Sequence, residues 1–290
     1  MSTTTLTCTE PPFAVAVQPD IGYHPDEAKW KERTARRLSE DPSLPNTPLP
    51  DGFPSQVLGP IVWEGKDWEC EDQWVYTLSE EQLREIDFGL NHFKGLDLAM
   101  GFVGKNTFPL PTLSTVLQDL ARELYSGRGF FVLRTIPIEK YTREELFIIY
   151  AETAAEGGTS RISSGGRIYN ELAATRPDLI KTLSEPWPLD SFGGTPSYTT
   201  RPLLYHVAVN GESKVVFQYS RRHFTGYGPQ KRNPDIPPIT EAQAEALDAI
   251  HFLAEKYTLG LNFQKGDIQY INSLGLLHAR DGFRDSPDKA

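Results

Sequence analysis

Residues 264–283 constrain this chain more than any other stretch. They read as a turn at Gln264-Lys265-Gly266-Asp267, then a strand, then a second apolar run that delivers His278 at its end. A lone histidine in such a place is ordinarily structural. It carries chemistry only if the rest of the chain supplies partners.

The remaining elements follow from periodicity and caps. Residues 1 to about 60 read as an irregular arm, with a polar helix at 27–38 and a Pro-rich portion at 41–60 that cannot form a regular element. Order is expected to begin near Trp74. Ser79-Glu80-Glu81-Gln82 is a capping box, and Leu83, Ile86, Leu90 and Phe93 follow at helical spacing. Leu113, Val116, Leu117, Leu120 and Leu124 mark a second helix that Gly127 stops. Gly129-Phe130-Phe131-Val132-Leu133-Arg134 predicts a buried strand, and Thr142 caps another helix. Residues 167–174 and 177–183 read as helices, the second opened by Pro177. Asn210-Gly211 between two apolar runs predicts a hairpin, and residues 240–257 form the clearest helix. Helices packed on a sheet of this order suggest an α+β or barrel-type β core rather than a doubly wound one. No Gly-rich phosphate loop is visible.

Composition narrows the partners. A formal charge of −10 argues against nucleic acid or an anionic membrane as partner. The basic clusters at 31–37 and Arg221-Arg222 read as solvated faces. The two cysteines, Cys8 and Cys70, lack metal-type spacing and suit a reducing compartment. With no signal-type N-terminus and no run of 18 apolar residues, a cytoplasmic protein is expected.

Several words resemble one family together. Gly129 to Arg134, Thr153-Ala154-Ala155-Glu156-Gly157-Gly158-Thr159-Ser160, Tyr169-Asn170-Glu171-Leu172, Gln218-Tyr219-Ser220-Arg221-Arg222 and residues 240–280 are similar to fungal members of the TauD/TfdA (taurine dioxygenase-like) Fe(II)/2-oxoglutarate oxygenases. The resemblance covers most of residues 75–285. It implies a double-stranded β-helix (jelly-roll) core with flanking helices, in a domain spanning 61–290. It further implies Fe(II), 2-oxoglutarate and O2 acting on a small molecule. The iron site of such enzymes is a facial triad of two histidines and a carboxylate with open positions for the keto acid and O2. His278 matches the distal histidine. Ser160 matches the hydroxyl position that assists the keto acid's carboxylate.

The chain departs from that pattern in two places. The family's His-x-Asp strand should precede the segment ending at Ser160, yet the helix at 144–150 runs straight into Ala151. The expected arginine clamp lies farther downstream than the 12 residues left after His278, which leaves Arg280 and Arg284 as nearer substitutes. The domain is therefore expected to be shortened near 150 and truncated at its C-terminus. Among the six histidines, only His24 opens an H-x-[DE] word. Roughly 0.8 such words arise by chance in this composition, and Pro25 keeps it out of a central ladder. His206, on a strand, is the alternative second ligand, set against a plain strand-face role. His92 and His251 read as structural and His223 as exposed. Three readings stay open: an oxygenase with His278 and His206 at the metal and Ser160 and Arg280 at the keto acid, a non-catalytic binding relative, or a product without function.

Overall fold

The computed structural model describes residues 17–149, 160–209 and 212–280. Cys8, the resemblance at 153–159, the Asn210-Gly211 turn and Arg284 lie outside the described residues. The elements are α1 Glu27–Glu40, β1 Val75–Thr77, α2 Glu80–Gly95, α3 Leu113–Ser126, β2 Phe130–Arg134 and α4 Arg143–Ile149. Next come β3 Ser160–Ser164, α5 Gly165–Thr175, α6 Pro177–Ser184, β4 Trp187–Asp190, β5 Tyr198–Arg201, β6 Leu204–Val209 and β7 Glu212–Phe217. The chain continues through α7 Arg222–Thr225, α8 Glu241–Lys256, β8 Leu259–Leu261, β9 Ile268–Ile271 and β10 Leu276–Arg280.

Two three-stranded sheets, β1-β2-β9 and β10-β3-β8, face one another. The alternation of β2 explains how. Phe130 and Val132 turn inward and meet Trp63, Trp74, Ile162, Leu259, Leu261 and Leu276 between the sheets. Phe131 and Leu133 turn outward with Ile268 and pack on Ile86, Leu113 and Leu146 of α2, α3 and α4. Phe130 is 0% exposed, and burying a side chain of this size contributes about 1.5–3 kcal/mol. The outer face of the second sheet rests through Leu277 on a third cluster built from α5, α6, α8 and the hairpins. This is an α+β protein with a jelly-roll core flanked by helices, as the residues and the resemblance implied. A jelly roll has eight strands, and the described residues supply six to the facing sheets.

The caps stand where the sequence puts them. Ser79 with Gln82, and Thr240 with Gln243, form reciprocal capping boxes. Thr142 and Glu145 exchange the same pair of bonds at the start of α4.

Three expectations need correction. Order starts well before Trp74, because α1 docks on α8. The basic clusters are not wholly solvated faces: Arg33 and Arg221 are buried and both pair with Asp248. Arg37 and Arg176 likewise close on Glu245, which is 0% exposed. Buried acids on α8 take these guanidiniums out of water, where a planar fork with several donors suits carboxylates well. His223 is half-buried rather than exposed. Its Nδ1–H donates to the Asp190 carbonyl at 2.8 Å, and its ring stacks on Phe192.

Candidate functional site

The register of β3 and β10 assembles the site. Arg280 lies opposite Ser160, His278 opposite Ile162 and Leu276 opposite Ser164. Directly paired residues share a face, and Ile162 and Leu276 face the space between the sheets. Ser160, His278 and Arg280 therefore stand in a row on the inner face of the second sheet. His278 and Arg280 are exposed there because β10 is an edge strand.

Across the gap, β9 supplies Gln269, whose register partner Val132 points between the sheets. The Ser160 hydroxyl donates to Gln269 Oε1 at 3.1 Å. Gln269 Nε2 is buried and has no hydrogen-bond partner among the described residues. An orphaned donor of this kind is costly, by about 1–3 kcal/mol, unless an acceptor arrives. The Ser160 hydroxyl spends its one hydrogen on Gln269 Oε1, so the donor left open by the pair is Gln269 Nε2. An oxygen acceptor, such as one from a carboxylate, satisfies a donor of this kind.

Iron does not find the same fit. Among the described residues, no three His, Cys, Asp or Glu side chains come together as a metal site. All six histidines are described, so their placements can be read directly. His206 sits on the β6–β7 hairpin, where Nε2 hydrogen-bonds the Ser213 hydroxyl at 2.7 Å and the ring leans on Phe53. His24 is exposed, and the Asp26 carboxylate of its H-x-D word caps α1 by accepting from Ala28 and Lys29. His92 stacks on Phe88 of the same helix. His251 bonds Glu255 one turn on, and burial lowers its pKa. The structure thus brings together Ser160, Arg280 and His278 on one face, and leaves His206 on its own hairpin.

Gln269 was not singled out from the sequence. A signal existed: a polar side chain at the inward position of a strand whose neighbours Ile268 and Tyr270 serve the opposite core. The clefts of about 340 and 610 Å³ elsewhere are lined around Trp68 and Tyr227 and do not include this pair.

Comparison with known proteins gives this geometry a lineage. The taurine hydroxylase-like protein SAT17 of Stachybotrys chartarum is 28% identical over 288 residues, spanning 77% of this chain and 74% of that protein. FR-33289 synthase of Streptomyces rubellomurinus is 19% identical over 293 residues, spanning 80% and 86%. A crystal structure of asparagine oxygenase with Fe(II), 2S,3S-3-hydroxyasparagine and succinate superposes with a TM-score of 0.51 at 12% identity, covering 74% of this chain and 90% of that one, which supports the fold. The model of one family matches residues 145–289, half of the chain, and takes in Ser160, Gln269, His278 and Arg280. With that match, the chain belongs to the taurine catabolism dioxygenase TauD, TfdA family.

Proposed function

We propose that this protein is an oxidoreductase of the 2-oxoglutarate-dependent dioxygenase type that hydroxylates a small molecule, with Fe(II) and O2 as the other participants. One observation carries the reading: Ser160, His278 and Arg280 share the inner face of one sheet, opposite the orphaned amide of Gln269. Ser160 and Arg280 receive the keto acid. His278 is one metal ligand, and the remaining donors are a carboxylate or water, since His206 stays on its own hairpin. The setting is secondary metabolism, by analogy with SAT17 and FR-33289 synthase. Among the described residues no helix is long and apolar enough to cross a membrane, and the cysteine usage favours the cytoplasm.

A second reading has its own support. The described residues hold no three-donor metal group, which favours a relative that binds a carboxylate ligand without turning it over. Anaerobic titration with Fe(II) and 2-oxoglutarate separates the two. The oxygenase gives a weak visible charge-transfer band and consumes 2-oxoglutarate when O2 is admitted. Stabilisation by 2-oxoglutarate with neither band nor turnover leaves the binding relative.

A further inference from the structure

We propose that the cleft between the N-terminal arm and the turn after α7 is a second ligand site. It takes a small aromatic carboxylate, with the ring against Tyr23 and Tyr227 and the acid group at Arg232 and Lys231. The proposal does not rest on the 2-oxoglutarate reading. Phe224 in the cleft belongs to the cluster on the outer face of the second sheet. No residue lining the cleft is shared with the row of Ser160, His278 and Arg280 on the inner face.

The walls are fixed before any ligand arrives. On the arm, the Gln18 amide donates to the Phe224 carbonyl at 3.2 Å and accepts from Ile239 N–H at 3.1 Å. The Gly22 carbonyl, next to Tyr23, accepts from Arg221 Nε at 2.6 Å. On the turn, Tyr227 and Gln230 exchange backbone bonds of 2.8 and 3.0 Å. Gly226 keeps that turn tight: its φ is +69°, and a Cβ there would stand 2.4 Å from the Gln230 carbonyl oxygen. The two tyrosine rings are thereby held with centroids 4.3 Å apart, and Tyr227 is 53% exposed. Neither phenol hydroxyl has a hydrogen-bond partner among the described residues. Aromatic walls already held by the backbone lose little freedom when a flat ligand lies against them.

The charged end is unbalanced. Arg232 is half-buried and donates to the Ile236 carbonyl at 3.1 Å and the Pro237 carbonyl at 2.7 Å, while its Nε has no partner among the described residues. Carbonyls accept its hydrogens without cancelling its charge. Asp190 is the acid that acts on it, but the Asp190 oxygens are taken by the backbone N–H groups of Phe192 and Asn233. Burial outweighs that attraction and lowers the Arg232 pKa. Lys231 is exposed and has no ion pair among the described residues, and Arg222 joins the rim through its bond to Gln230 Oε1. A guanidinium in this state gains from a carboxylate. The cleft measures about 610 Å³, within the roughly 300–1,000 Å³ of small-molecule sites. A neutral ring would meet the tyrosines and leave the charge unmet, and a small acid without a ring would do the reverse.

The test titrates the full chain by calorimetry with 2-naphthoate, neutral 2-naphthamide and acetate, alongside thermal unfolding. 2-Naphthoate should bind about fivefold or more tightly than either of the others. Tyr227→Ala, at an exposed side chain, should keep the ligand-free melting temperature and weaken 2-naphthoate about fivefold. Arg232→Gln should remove the preference for acid over amide. If Arg232→Gln unfolds, Tyr227→Ala and the comparison of acid with amide on wild type still decide. His278→Ala should bind 2-naphthoate as wild type does. No binding of 2-naphthoate, equal affinity for acid and amide, or wild-type affinity in Tyr227→Ala overturns the proposal. Loss of binding in His278→Ala places the ligand between the sheets and overturns it as well.

Discussion

Arg33 donates through Nη1 to Asp248 Oδ2 at 2.7 Å, joining α1 to α8 by a pair whose side chains are 7% and 3% exposed. Arg221 meets the other carboxylate oxygen at 2.7 Å. One buried acid thus pairs with two arginines from segments far apart in sequence, and Arg33 also bonds Glu241 at 3.0 Å. Asp248→Asn removes the charge that the two guanidiniums share and should cost about 3–5 kcal/mol in urea unfolding. Arg33→Met leaves Asp248 with Arg221 and should cost clearly less. The reverse order would show that Asp248 is not the hub.

Glu245 should give the fold a measurable acid sensitivity. Burial works to raise its carboxyl, but the bonds and charge of Arg176, followed by Arg37, outweigh it and hold the pKa below the usual 4.5. A carboxyl depressed on folding contributes stability that is complete above its unfolded pKa and lost as pH falls through the folded one. Wild-type stability should therefore decline below about pH 4.5 as Glu245 takes up a proton. Glu245→Gln should be weaker at neutral pH and should show a shallower decline across the acid range. Parallel curves for the two proteins would remove Glu245 from the explanation.

What could be read from the residues alone divides along physical lines. Helices announce themselves locally, through the boxes at Ser79 and Thr240 and the stripe from Leu113 to Leu124, so α2, α3 and α8 were legible. Strand β3 was not, because Ser160-Arg161-Ile162-Ser163-Ser164 holds one apolar residue and becomes a strand only by pairing with β8 and β10 on its two sides. Pro188 hides β4 in the same way, since proline argues against a strand unless it lies at an edge. The candidate site was half legible. Ser160 and His278 stood out through resemblance and Arg280 as the nearer substitute for the missing clamp, but their common face is a property of register. Gln269 emerges only once β9 is laid across from β3.

Asp26 offers a direct check on a tempting motif. Its carboxylate accepts from Ala28 N at 2.9 Å and Lys29 N at 3.1 Å, the work of a helix N-cap. Asp26→Ala should cost about 1 kcal/mol of stability and leave the response to Fe(II) unchanged. Loss of an Fe(II) response with no loss of stability would reinstate His24-Pro25-Asp26 as a metal word.

His278 separates lineage from activity. It is exposed on edge strand β10, so His278→Ala should change folding stability by no more than about 0.5 kcal/mol. Its effect should fall on metal alone. Of the residues proposed for the keto acid, Ser160 sits on β3 and Arg280 two positions along β10, and neither is changed by the substitution. His278→Ala should therefore keep whatever 2-oxoglutarate affinity the chelated wild type shows, and lose any increment that Fe(II) adds. A variant that retains the Fe(II) increment places the metal elsewhere. A variant that loses the metal-free affinity as well makes His278 part of the acid's binding surface.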